Sequence, residues 1–108
     1  MFRELSEADW KYMRRLSPEL LNRLCARINA ETASILADMS LSEHERYLKV
    51  YKHIHESDRI VAECFNDWRR SRLLERIISI IHFDLITEEE LAGLSEEGRA
   101  IVGFIQRV

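Results

Sequence analysis

Residues that interrupt helices are scarce in this chain of 108 residues. Its only proline is Pro18, and its three glycines all lie near the C-terminus, at Gly93, Gly98 and Gly103. Proline and glycine are the residues that most strongly disfavour a helix interior. Almost nothing before residue 90 therefore breaks a helix, and the composition favours an all-α protein.

Paired cysteines and long apolar runs are also lacking. Cys25 and Cys64 lie far apart and form no CxxC pattern, which predicts two reduced, largely buried thiols rather than a disulfide. No stretch approaches the roughly 20 apolar residues of a membrane span. Charges at Arg3 and Glu7 interrupt the N-terminus, where a secretory signal requires an apolar region. These observations predict a cytoplasmic protein without a membrane segment.

The chain has no excess of positive charge. It contains 16 Lys and Arg against 19 Asp and Glu, for a formal net charge of -3. Positive and negative residues balance up to Ile86, and the excess acid follows it. This distribution gives no overall attraction to nucleic acid or to an anionic membrane surface. Any such binding would depend on a local cluster.

Four signals for the start of a helix are present. Ser6, Ser42 and Thr87 each begin an [ST]xx[DE] motif, in which the hydroxyl and the acidic side chain satisfy free backbone N–H groups. The fourth signal is Ser17 followed by Pro18, because proline is favoured at the first position of a helix.

These signals predict an antiparallel bundle of about five helices, with one long central helix, in a single domain of residues 1–108. Short connections between helices place neighbours antiparallel, and a chain of this length is the size of one domain. The IISII run at 77–81 resembles a strand, but the spacing of three and four residues around it favours a helix. The predicted helices span about 7–16, 18–39 and 43–70, a fourth follows Ser71, and a final pair spans 88–94 and 96–106.

The long helix carries a heptad seam, in which seven positions follow alternating steps of four and three residues. Such a seam must be covered by another helix. A long helix that extends beyond its neighbours would present the seam to a second chain, and twofold dimers are the commonest assemblies. We therefore expect a homodimer. The seam residues are Tyr47, Tyr51, Ile54, Asp58, Val61, Phe65 and Trp68.

Three polar residues, Tyr51, His55 and Asp58, lie along one edge of this seam. Their spacing of four and three residues permits a hydrogen-bonded group on one helix face. The favoured interpretation is a structural network, because buried polar groups need partners in any protein. The other interpretation is a ligand site or an enzyme, in which Asp58 orients His55 as a general base.

A metal or cofactor site is not predicted. None of the four histidines has a glutamate three positions earlier, as the ExxH motif of di-iron bundles requires. His53 and His55 project about 200° apart on a helix, so they cannot bind one ion together. No glycine-rich phosphate loop or GxSxG motif occurs.

Arg69, Arg72 and Arg76 form the main basic cluster, and Ile80 and Phe83 project from the same side of the predicted helix. Arginine mixed with apolar and aromatic groups is typical of the centre of a protein interface. We therefore predict that these five residues contact a partner. Two alternatives are an arginine row that binds nucleic acid and a side covered by the C-terminal helix.

No catalytic or ligand motif stands out in the sequence. The chain is accordingly expected to be a non-catalytic interaction or regulatory module that associates with itself. The alternative functions are nucleic-acid binding through the arginines, or small-molecule binding or catalysis at Tyr51, His55 and Asp58.

Overall fold

The computed structural model describes residues 4–107 and the side chains of residues 4–106. Within this range every regular element is helical and no strand occurs, which confirms the all-α prediction. The IISII run lies in a helix, as predicted. The helices are α1 (Glu7–Leu36), α2 (Glu43–Phe65), α3 (Leu73–His82), α4 (Glu88–Leu91) and α5 (Glu96–Arg107), with a 3-10 turn at Arg70–Arg72.

Three of the four predicted helix starts are confirmed. The Ser6 hydroxyl accepts a hydrogen bond from the Asp9 N–H at 3.1 Å. Ser42 and Thr87 each form a complete capping box with the glutamate three residues later. In both boxes the hydroxyl and the carboxylate each accept a backbone N–H of the first turn, so free donors at the start of the helix are satisfied.

The predicted start at Ser17 and Pro18 is wrong, because α1 is a single helix of 30 residues that contains Pro18. Proline lacks the N–H that would donate to the carbonyl of Arg14. The Ser17 hydroxyl donates to that carbonyl instead, at 3.0 Å. Met13 and Leu20 are both fully buried. Core packing on both sides of the proline therefore holds the helix together.

The predicted long helix over 43–70 is too long, since α2 ends at Phe65 and α1 is the longest helix described. Asn66 leaves the helical conformation with a ψ of 149°, and Asp67 follows with a φ of 56°, a left-handed conformation that aspartate tolerates better than most residues. Trp68 lies beyond the helix end, and its carbonyl accepts the indole N–H of Trp10 at 2.9 Å.

The hydrophobic core lies where the first half of α1, the end of α2, the whole of α3 and the C-terminal helices meet. We call this part of the molecule the body. Both cysteines are free thiols, and burial raises the pKa of Cys64 to about 11. The buried apolar residues are Leu5, Met13, Leu20, Leu24, Cys64, Leu73, Ile77, Ile80, Leu85, Ile86, Leu94 and Val102.

Polar side chains of α1 fasten the C-terminal part of the chain to the body. The carboxylate of Asp9, which is buried, accepts the N–H and the hydroxyl of Ser95, both at 2.7 Å. The Tyr12 hydroxyl donates to the carbonyl of Glu90 at 2.7 Å. Arg23 donates to both carboxylate oxygens of Glu90, at 2.6 and 2.7 Å. These bonds hold α4 and the start of α5 against α1.

The outer ends of α1 and α2, residues 29–36 and 43–58, form an extension that we call the arm. Arg46 donates to the Leu36 carbonyl at 3.3 Å, and the imidazole of His53 lies 3.6 Å from the Glu31 carboxylate. Later residues of α2 therefore contact earlier residues of α1.

The chain measures 53 × 25 × 25 Å. Its radius of gyration is 16.9 Å, against about 13 Å for a compact domain of this length.

Candidate functional site: an exposed apolar face on the arm

Two different stripes of side chains run along α2, and only one of them faces α1. The stripe that faces α1 consists mainly of small or polar groups. The heptad seam lies roughly a third of a turn away from it, as follows from 100° per residue. The residues of the stripe that faces α1, all buried or half-buried, are Arg46, Val50, His53, Ser57, Ile60 and Cys64.

The first four seam positions are exposed. The exposed fraction is 64% for Tyr47, 66% for Tyr51 and 40% for Ile54, and Asp58 is exposed as well. Leu36, at the end of α1, is 54% exposed. We call these five residues the arm face.

Within the described chain, the predicted seam is therefore covered only over its second half. Val61 and Phe65 do pack against the core of the body. No helix of the described chain covers Tyr47 and Tyr51. The reason is that α1 contacts α2 along the other stripe, while α3 contacts α2 only in the body, where Arg76 binds the carbonyl of Glu63 at 2.7 Å.

Aromatic pairs order the side chains around the arm face. The rings of His44 and Tyr47 are stacked with centroids 6.5 Å apart, and those of Tyr51 and His55 with centroids 6.2 Å apart and planes at 3°. Two shallow depressions, of about 380 and 400 Å³, adjoin these rings and share Tyr47 and Val50 in their lining. The surface is thus contoured and its rings are held in defined orientations.

Tyr51, His55 and Asp58 are close together but differ from the predicted arrangement. All three are exposed rather than buried, and all three line the depression of about 400 Å³. Within the described structure no hydrogen bond connects them, and Tyr51 stacks on His55 instead. The predicted buried hydrogen-bonded network is therefore not formed, because the seam is uncovered at this point.

The three arginines do not form the predicted row on one helix. Arg69 and Arg72 precede α3, which begins only at Leu73. Arg69 forms two hydrogen bonds with the Asp67 carboxylate, at 2.7 and 2.8 Å, and thereby lowers the pKa of Asp67 to about 2. Arg72 donates to Glu75 at 3.0 Å. The positive charges of Arg69 and Arg72 are therefore locally neutralised.

Ile80 and Phe83 are also placed differently from the prediction. Ile80 is fully buried, and Phe83 is half-buried against the core, where its carbonyl accepts Arg27 at 2.7 Å. The side predicted to meet a partner therefore belongs partly to the interior. Ile105 of α5 lines a cleft with Leu74 and Ile78, which lie on the opposite side of α3 from Ile80 and Phe83 at 100° per residue, so the alternative in which the C-terminal helix covers these two residues is not confirmed.

A second concave region lies in the body. It is a cleft of about 410 Å³ lined by apolar groups such as Leu74 and Ile78. At its rim Arg70 donates to the carbonyl of Leu5 at 2.9 Å, and Glu75 is engaged by Arg72. These polar groups hold the chain together rather than face a ligand. We therefore take the arm face as the candidate site.

No helix within residues 4–107 is both long and apolar enough to cross a membrane. In the same range no three His, Cys, Asp or Glu side chains are grouped so that they would hold a metal ion. Comparisons of the chain with protein-family models, with curated proteins and with solved structures found no match.

Proposed function

We propose that this chain is a non-catalytic helical interaction module that binds a second copy of itself through the arm face, so that the two arms form an antiparallel bundle. The observation that carries the proposal is the exposure of Leu36, Tyr47, Tyr51 and Ile54 on the arm. Contiguous exposed apolar groups on a monomer are typical of interaction sites.

The total surface of the chain supports this proposal. Its accessible area is 7491 Å², whereas a compact monomer of 12.8 kDa exposes about 6,300 Å². The chain thus exposes about 1,200 Å² more than a compact monomer of its mass, because the arm extends from the body instead of packing onto it.

The chemistry of the arm face also supports a protein partner. Aromatic residues such as tyrosine are enriched at the centres of protein interfaces, whereas Lys, Glu and Asp are depleted there. Among the five residues of the arm face only Asp58 is charged.

The proposed module acts in the cytoplasm. Both of its cysteines are free, and free thiols are typical of a reducing compartment.

Measurement of molar mass by light scattering tests the proposed self-association. Over a series of concentrations the wild-type chain is expected to approach the mass of a dimer, and Ile54→Glu to remain a monomer, because it places a charge in the centre of an apolar contact. Phe104→Glu is the matched control, since Phe104 is 58% exposed on α5, away from the arm. Circular dichroism should show equal helix content in all three proteins.

A wild-type chain that stays monomeric at every concentration would contradict the proposal. So would a dimer that Ile54→Glu leaves intact.

A second candidate function is the binding of a small molecule in the depression next to the arm face. It is favoured by the phenol of Tyr51, the imidazole of His55 and the carboxylate of Asp58, which line the same depression of about 400 Å³. Native mass spectrometry of protein purified from its own host reports subunit count and bound mass together. An added mass that His55→Ala removes would support this candidate, and a dimer without added mass would count against it.

A further inference from the structure

We infer that in this dimer α2 of one copy packs antiparallel against α2 of the other, with the twofold axis passing midway between Tyr51 and Ile54. This inference rests on the proposed self-association and adds the direction and register of the two helices.

The register follows from the spacing of the exposed seam residues. In a twofold interface, residue i of one copy contacts residue j of the other, and j contacts i. For two antiparallel helices the sum of the paired residue numbers is therefore constant. The exposed positions Tyr47, Tyr51, Ile54 and Asp58 are separated by four, three and four residues. This pattern is symmetric about the midpoint of Tyr51 and Ile54, so that Tyr51 meets Ile54 and Tyr47 meets Asp58.

Other positions of the twofold axis leave part of the exposed seam without a seam residue opposite it. An axis midway between Tyr47 and Tyr51 would place Asp58 opposite Ser40, which lies in the loop before α2. An axis midway between Ile54 and Asp58 would place Tyr47 opposite Phe65, which already packs against the body. Only the axis between Tyr51 and Ile54 pairs all four exposed residues with one another.

The inferred register also pairs chemically suitable groups. Tyr51 and Ile54 bury apolar surface against each other. A carboxylate that is removed from water needs a hydrogen-bond donor, and the Tyr47 hydroxyl provides one for Asp58. Within one chain these two residues are 11 positions apart, or about 16 Å along a helix. Asp58 can therefore reach only the Tyr47 of the second copy.

A parallel arrangement of the two α2 helices lacks this match. A parallel twofold pair places each seam residue next to the same residue of the other copy. Asp58 would then face Asp58, and like charges placed side by side in an interface are costly. The charge on the arm face thus favours the antiparallel direction.

A charge-reversal pair tests the register. Tyr47→Glu places a carboxylate opposite Asp58 at two equivalent positions of each dimer. We expect the Kd of the dimer to rise at least about 100-fold. The double variant Tyr47→Glu/Asp58→Lys places Glu opposite Lys, and we expect its Kd to return to within about tenfold of the wild-type value. Sedimentation equilibrium measures all three values, and circular dichroism verifies the fold.

A matched control replaces a charge that faces away from the seam. Glu56 is exposed and lies on the opposite side of α2 from Tyr47 at 100° per residue. The double variant Tyr47→Glu/Glu56→Lys has the same net charge as the rescue variant. Because its lysine faces away from the seam, we expect that it does not restore the dimer. Two results would overturn the register but not self-association. One is a wild-type dimer that Tyr47→Glu leaves intact, and the other is a loss of the dimer in Tyr47→Glu that Asp58→Lys does not restore. A monomeric wild-type chain overturns the proposed function as well.

Discussion

At the scale of single residues, Glu90 connects the C-terminal part of the chain to α1. Its carboxylate accepts two bonds from Arg23 in α1 and also the N–H of Thr87, which completes a capping box. The Arg23 guanidinium, together with Thr87, lowers the pKa of Glu90 to about 2 from an ordinary value of 4.5. The ionised form of Glu90 therefore stabilises the folded chain.

Glu90→Gln should decrease the free energy of unfolding at pH 7 by about 1 to 3 kcal/mol, the range for a hydrogen-bonded charge pair. Because the folded-state pKa lies below the unfolded value, the contribution of the carboxylate is complete above about pH 4.5 and is lost as the pH falls towards 2. Urea unfolding across this pH range should show that the free energies of unfolding of the wild type and the variant converge as the pH falls. Glu89→Gln, at an exposed neighbour, should have little effect, and an equal loss there would contradict the role given to Glu90.

Contacts within three or four residues were predictable from the sequence, and contacts between distant residues were not. The caps at Ser6, Ser42 and Thr87 depend only on a hydroxyl and a backbone N–H three positions later. The bond from Arg23 to Glu90 joins residues 67 positions apart. No local pattern distinguishes Arg23 from the other arginines of the chain, so the fold itself was needed to find this pair.

At the scale of the helices, α1 tolerates a proline that usually ends or bends a helix. The local signal at Ser17 and Pro18 is real, but packing overrides it, because Met13 and Leu20 on either side enter the same core. The end of α2 had a weaker signal. Asn66 and Asp67 are residue types favoured in turns, whereas the heptad spacing continues to Trp68 and therefore suggests a longer helix.

Pro18→Ala should increase the free energy of unfolding by about 1 to 2 kcal/mol, somewhat below the roughly 3 kcal/mol cost of proline inside a helix. The expected gain is reduced because the Ser17 hydroxyl already satisfies the Arg14 carbonyl. Chemical denaturation measures the change. Ser17→Ala should destabilise the wild type by about 0.5 to 1 kcal/mol but have a smaller effect in the Pro18→Ala background. Equal effects in both backgrounds would rule out this compensation.

At the scale of the whole molecule, the body and the arm are stabilised differently. Most of the fully buried apolar side chains lie in the body, whereas the contact between α1 and α2 in the arm includes Arg46, His53 and Ser57. The heptad spacing identified the side chains that are exposed along the arm. The sequence did not reveal that only the first half of the heptad seam is free, because this depends on where α3 and α5 pack.

Hydrogen exchange should separate these two parts of the molecule. In Ile54→Glu, which is expected to be monomeric, the amides of 43–58 should exchange faster than those of α3, since a segment with few buried apolar contacts opens more easily. In the wild type their protection should increase with protein concentration. Protection of the arm that is independent of concentration in both proteins would contradict stabilisation by a second copy.

The position of the arm along the chain has a consequence for biosynthesis. The last residue of the arm is residue 58, and when it has been made the core still lacks Leu73, Ile77 and Val102. Because folding during synthesis proceeds from the N-terminus, the arm leaves the ribosome before the residues that complete the core. The self-association proposed above would then allow two chains translated from one message to begin assembling before either subunit is finished.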